Sequence, residues 1–131
     1  MAGWRARRRG ASRLQCRGGK LDHLLLGSCS YTAEGWETSF YPPGLKKAAY
    51  LGFYAGQFNT VEVDATFYGV PSEKTVKRWY ELTPEKFVFA CKVPETITHE
   101  SCLVNCDDEF REFVEAMAGL KHTLGPMLLQ L

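Results

Sequence analysis

The run Thr60-Val61-Glu62-Val63-Asp64-Ala65-Thr66-Phe67-Tyr68 says more about architecture than any other part of the 131-residue chain. Its first six residues are dense in β-branched side chains, the composition of a strand. Successive side chains of a strand point to opposite faces, so Val61 and Val63 share one face while Glu62 and Asp64 share the other. Apolar groups on one side and carboxylates on the other describe a strand with helices against one face and a polar site on the other.

On either side of this run, strand and helix patterns alternate. Leu24 to Cys29 is a short apolar run ending in small residues and is expected to be a first, buried strand. Beyond the breaker Tyr41-Pro42-Pro43-Gly44, Leu45, Ala48, Ala49, Leu51, Phe53, Ala55 and Phe58 recur at helical spacing. They predict a helix over residues 45–58, weakened by Gly52 and Gly56. Past Thr60 to Ala65, Ser72 is suited to cap a helix whose stripe is Val76, Trp79, Tyr80 and Leu82 and whose stop is Pro84. Lys86 to Val93 alternates Phe87, Phe89 and Cys91 with Val88, Ala90 and Lys92, a third strand. Asp107 to Leu120 carries three acids in its first turn, complementing the helix dipole, and an apolar stripe of Phe110, Phe113, Val114, Met117 and Leu120. Gly125-Pro126 is expected to break the chain before a fourth strand, Met127 to Leu131.

Four strands separated by three helices imply an α/β fold with a parallel sheet and right-handed crossovers. Strands of such a sheet expect cover on both faces, and the fourth has no helix after it. The chain is therefore expected to be truncated.

The segments Leu26-Gly27-Ser28-Cys29-Ser30-Tyr31, Phe40-Tyr41-Pro42 and Phe58-Asn59 leading into Thr60 to Tyr68 resemble, in order, the opening motifs of the YecE-like family, domain of unknown function 72. The resemblance continues through Pro71-Ser72, Trp79, Phe87-Val88-Phe89 with Lys92, Pro94, Ile97-Thr98-His99 and Leu124-Gly125-Pro126-Met127-Leu128-Leu129-Gln130-Leu131. Tyr31 departs from the tryptophan usual in the family. The resemblance implies a parallel TIM-type (β/α) barrel, here its first half over residues 22–131 after a leader at 1–21. It brings no settled activity, so function is read from the residues.

Barrel sites gather at the carboxyl ends of the strands. There Glu62 and Asp64 end strand two, Lys92 ends strand three, Gln130 ends strand four, and Ser28 or Ser30 follows strand one. Burying Glu62, Asp64 and Lys92 without pairing or a ligand would cost several kcal/mol. Two readings follow: a structural ion pair, Glu62 to Lys92, or catalysis with Glu62 as base or ligand, Lys92 as electrostatic stabiliser and His99 as proton donor or ligand. Asp64 has the further option of holding the Thr66-Phe67-Tyr68 loop through its side chain. Tyr31, Trp36, Phe40, Tyr41, Phe67 and Tyr68 crowd the loops after strands one and two, either as a stacking platform for a planar ligand or as a cap on the core. Ser28, Tyr31, Asp64, Phe67, Tyr68 and Gln130 are the expected substrate contacts; the sequence names no metal and no cofactor.

Composition bounds the rest. The chain is 45% hydrophobic and 24% charged with a net charge of +1, yet seven of its sixteen basic residues precede the first acid, Asp22. From there onward nine basic residues face fifteen acidic ones, a balance of −6 that argues against nucleic acid as partner of the folded body. The leader, rich in Arg, Gly, Ala and Ser, is expected to be disordered. It fits an organellar transit peptide, a start codon placed too far upstream or, less well, a basic arm. No apolar run reaches the roughly 18 residues of a membrane span. Five cysteines without regular spacing indicate a reducing compartment, and Cys102 with Cys106 lacks the second pair a zinc site requires. The expectation is a soluble intracellular, cytoplasmic protein taking a small-molecule ligand. Three classes compete: an enzyme using acid–base or metal-assisted chemistry on a small polar or phosphorylated substrate, a non-catalytic ligand- or nucleic-acid-binding barrel, and a half-barrel fragment without function.

Overall fold

Three strands, Thr60–Val63 (β1), Val88–Lys92 (β2) and Leu124–Leu128 (β3), form one sheet in the order β1-β2-β3, with both pairings parallel. The computed structural model describes residues 24–131. The leader expected over residues 1–21, with Cys16, lies outside the described residues, as does His23. Among the described residues four α-helices accompany the sheet: Trp36–Ser39 (α1), Tyr50–Ala55 (α2), Glu73–Leu82 (α3) and Asp107–Ala118 (α4).

Burial follows the period of two that the sequence shows. Val61 and Val63 of β1 and Phe87, Phe89, Cys91 and Val93 in and around β2 are buried in a core completed by Leu51, Tyr54, Val76, Trp79, Phe113, Met117 and Leu120 from the helices. Thr60, Glu62, Val88, Ala90 and Lys92 alternate with them and are only half-buried. The helix layer thus covers one face of the sheet. In α3, Ser72 caps as expected, its Oγ accepting from the Thr75 N–H at 3.3 Å. In α4, Phe113 and Met117 are buried while Phe110, assigned to the same stripe, is exposed.

Several elements differ from the expectation. Leu24 to Cys29 is not a strand, although it runs beside β1 and its Leu26 and Ser28 carbonyls accept from the Asn59 and Glu62 N–H groups at 3.3 and 3.0 Å. Side chains take the bonds a ladder would need: Asn59 Oδ1 accepts from the Leu26 N–H, Asn59 Nδ2 donates to the Leu24 carbonyl, and the Tyr54 hydroxyl accepts from the Ser28 N–H. Gly27 permits this approach, since a Cβ there would stand 2.0 Å from the Thr60 carbonyl oxygen. The helix expected over 45–58 is reduced to a 3-10 turn at Lys47–Ala49 followed by α2.

The last strand begins at Leu124 rather than Met127, and Gly125-Pro126 lies inside it. A register shift between Phe89 and Cys91 takes up the extra residue, because Phe89 pairs with Leu124 and Cys91 with Met127. A bulge of this kind is where a strand tolerates proline. Consequently the strand ends at Leu128, and Gln130 is exposed beyond it.

Candidate active site at the carboxyl ends of the strands

Register determines which side chains meet at the end of the sheet. Glu62 stands opposite Ala90 and Val63 opposite Cys91, so the next step brings Asp64 to Lys92. Lys92 Nζ lies 3.3 Å from Asp64 Oδ1, and the pair expected between Glu62 and Lys92 is not formed. The Lys92 side chain is only 13% exposed, whereas that of Asp64 is 41% exposed. One wall of this contact is therefore protein and the other is solvent.

Asp64 reaches this position because β1 gives way at Val63 to a 3-10 turn, Asp64–Phe67. Thr66 fastens that turn: buried, its Oγ1 lies 2.8 Å from the Val63 carbonyl oxygen and 2.6 Å from that of Lys92, joining the ends of β1 and β2. The role considered for Asp64, of holding the loop, thus belongs to Thr66. The turn also brings the Phe67 ring beneath Lys92, with Nζ 4.1 Å from the ring centroid, a cation–π contact.

His99 joins the cluster through Phe67. The loop expected after β2 is a helical turn in which Thr96–Glu100 is wound as a π-helix, started by Ile97 and Thr98 N–H groups donating to the Pro94 carbonyl. The exposed His99 ring meets Phe67 edge-on at 5.2 Å between centroids, and its Nδ1 is 2.8 Å from Thr98 Oγ1. Tyr68, 72% exposed, stands against Phe67 at 5.3 Å. Asp64, Phe67, Tyr68, Lys92 and His99 are thereby brought together.

The remaining expected site residues fall into two groups. Glu62 and Tyr31 share with Asp64 a small cleft of about 80 Å³, which Ser30, Thr32, Val63, Ala65 and Trp79 complete. Ser28 and Gln130 are not in the cluster: the Ser28 hydroxyl is spent on the Ser30 carbonyl and the Tyr54 hydroxyl, and Gln130 trails past β3. Among the aromatic loop residues, Trp36, Phe40 and Tyr41 pack inward against α2. Tyr41 stacks on Tyr50 at 3.8 Å between centroids and Phe40 meets Phe53 edge-on. Tyr41 also donates to the Tyr31 carbonyl, and burial, with Tyr50, Tyr54 and Tyr31 nearby, pushes its hydroxyl pKa up to about 12. These three rings cap the core; Phe67 and Tyr68 alone stand at the cluster.

Among the described residues, no group of three or more His, Cys, Asp or Glu side chains is arranged to hold a metal ion. Cys29, Cys91, Cys102 and Cys106 are free thiols. Thr66, which ties the ends of β1 and β2 beneath the cluster, is the residue that the sequence reading passed over. A threonine directly after a strand-ending acid was the available signal.

A parallel α/β protein with charged groups converging where its strands end is the class that fold and site define. The chain belongs to the family described as protein of unknown function DUF72, whose model matches residues 25–131. It is similar to UPF0759 protein YecE of Escherichia coli, 42% identical over 78 residues, which are 60% of this chain and 29% of that protein. It is also similar to UPF0759 protein YunF of Bacillus subtilis, 35% identical over 66 residues, 49% of this chain and 23% of that one. A crystal structure of a DUF72 family protein from Enterococcus faecalis superimposes with a TM-score of 0.53 at 32% identity, covering 62% of this chain and 35% of that chain. The chain thus spans well under half the length of these relatives. Among the described residues no helix is long and apolar enough to cross a membrane.

Proposed function

We propose that residues 22–131 form the opening part of a TIM-type barrel whose strand ends carry an acid–base site for a small polar substrate. Lys92 is the observation that carries this reading. Its side chain is mostly buried and seated on Phe67, and its one carboxylate partner among the described residues, Asp64, is open to solvent. A pair built for stability alone gains little from a solvent-facing carboxylate. A cation held against an aromatic ring at a strand end is instead placed to stabilise developing negative charge. In this reading Asp64 and Glu62 are the bases lining the cleft, His99, edge-on to Phe67, is the proton carrier, and the exposed Tyr68 ring is a surface on which a ligand stacks.

The test is thermal unfolding of the chain, and of its Lys92→Met and His99→Gln variants, with and without millimolar ribose, ribose 5-phosphate and glycerol 3-phosphate. Methionine keeps the stem packed on Phe67, so without ligand Lys92→Met should lose no more than about 1 kcal/mol. The expected result is stabilisation by at least one compound that both variants lose. No response to any compound, an undiminished response in Lys92→Met, or a ligand-free loss above about 3 kcal/mol makes the pair structural.

A further inference from the structure

Beside the strand-end cleft, between α2 and α3, lies a cavity of about 220 Å³ whose charged groups the acid–base reading does not use. Tyr31, Leu51, Trp79 and Leu82 form its apolar walls, and Lys47 and Arg78 stand at its edge. Among the described residues no carboxylate lines it. By contrast, Glu62 and Asp64 line the cleft at the strand ends, and the groove between α3 and α4 sets Glu73, Glu81 and Glu115 beside Lys77 and Lys121. From Asp22 onward the chain carries −6, so two cations on one apolar hollow run against the prevailing charge. Lys47 also borders a neighbouring depression with Glu34 and Glu37, yet neither Lys47 nor Arg78 is in an ion pair among the described residues.

We propose that this cavity binds a small amphipathic carboxylate, a single ring or branched chain bearing one carboxyl group. Arg78 is already oriented for it: Nη2 donates to the Ala48 carbonyl at 3.1 Å, which fixes the plane of the guanidinium and leaves its other N–H groups uncommitted. A guanidinium presents paired donors that match the two oxygens of a carboxylate. Lys47 adds a second positive charge, and Thr75, also on the lining, adds a hydroxyl. The ring or chain of the ligand lies against Tyr31, Leu51, Trp79 and Leu82, where it displaces water from apolar surface. Inorganic phosphate leaves those walls unused, and a nucleotide exceeds a hollow smaller than the roughly 300–1,000 Å³ of pockets for larger ligands.

This inference stands apart from the acid–base reading. Tyr31 and Trp79 line both hollows, but no charged group is shared between them.

Sodium benzoate is the probe, benzyl alcohol its neutral counterpart and sodium phosphate an anion without an apolar body. Titrated into the ¹⁵N-labelled chain, benzoate is expected to shift the amide signals of Thr75, Arg78 and Trp79 and the Trp79 indole N–H saturably. Both controls should bind about ten-fold more weakly or less, the loss expected when one charge-assisted contact or the apolar contact is missing. Arg78→Gln and Lys47→Gln, at exposed positions, should each weaken benzoate several-fold while signals remote from the cavity stay in place. If either variant unfolds, the other carries the comparison. The proposal is overturned by the absence of a saturable benzoate shift, by benzyl alcohol binding as tightly as benzoate, or by folded variants that bind benzoate like the parent.

Discussion

Cys91 shows how far one buried side chain can set the response of the protein to its surroundings. It lies on the helix-facing side of β2 with no exposed surface, and burial pushes its thiol from 9.0 up to about 12. The protonated thiol is therefore the form the fold accepts. Its contribution is whole below pH 9 and is lost between pH 9 and about 12, at a slope of up to about 1.4 kcal/mol per pH unit. Cys91→Val keeps a small apolar group and removes the titration. Tyr41, also raised to about 12, is common to both proteins and cancels in the difference. Urea unfolding at successive pH values should give a stability difference, parent minus variant, that is flat to pH 9 and then falls. A difference still flat at pH 12 would show that the thiolate is accommodated. At this scale the alternation was legible: burial of Val61, Val63, Phe89 and Cys91 follows from a period of two. The partner of Lys92 was not, because choosing Asp64 over Glu62 needs the register between β1 and β2, which neither strand encodes alone.

Among the elements, the boundaries that the sequence reading missed share a cause: a side chain or an irregular turn replaces the expected backbone pattern. Asn59 and Tyr54 occupy the bonds that would have made Leu24 to Cys29 a strand, and both are remote from it in sequence. Ser72 and the acids of α4 act within their own helices, which is why those two helix starts were legible. β3 is the instructive case, since Gly125-Pro126 reads locally as a break and becomes a bulge only beside β2. A Cβ on Gly125 would stand 2.3 Å from Val88 Cγ1 and 3.0 Å from the Phe89 carbonyl oxygen. Gly125→Ala is accordingly expected to cost about 1–3 kcal/mol, the range for overpacking a close contact. Adding Val88→Ala removes the nearer obstacle and should recover part of that loss. Equal stability of the single and double variants in urea unfolding would mean that the clash at Phe89, or a shift of β3 as a whole, controls the cost.

At the scale of the whole molecule the core is one-sided. Every fully buried strand residue faces the helices, and the other face, with Thr60, Glu62, Val88, Ala90 and Lys92, is half-buried. Parallel sheets rarely leave a face in this condition, because their strands are built for cover on both sides. Leu24, Leu25 and Leu26 at one margin and Leu128, Leu129 and Leu131 at the other are exposed as well. The asymmetry makes two truncations unequal. Phe113 is fully buried against the helix-facing side, so Phe113→Ala should cost about 3–5 kcal/mol through lost transfer energy and the cavity left behind. That approaches the whole stability of about 5–15 kcal/mol typical of a small domain, and the variant is expected to unfold at much lower urea. Val88→Ala, on the half-buried face, should cost no more than about 1 kcal/mol, since the removed methyl groups are already in partial contact with water. The comparison is made by urea unfolding at two protein concentrations. If Val88→Ala proves as costly as Phe113→Ala, and its cost grows with concentration, the open face is covered by association in solution, and the exposure of Asp64 beside Lys92 belongs to the isolated chain alone.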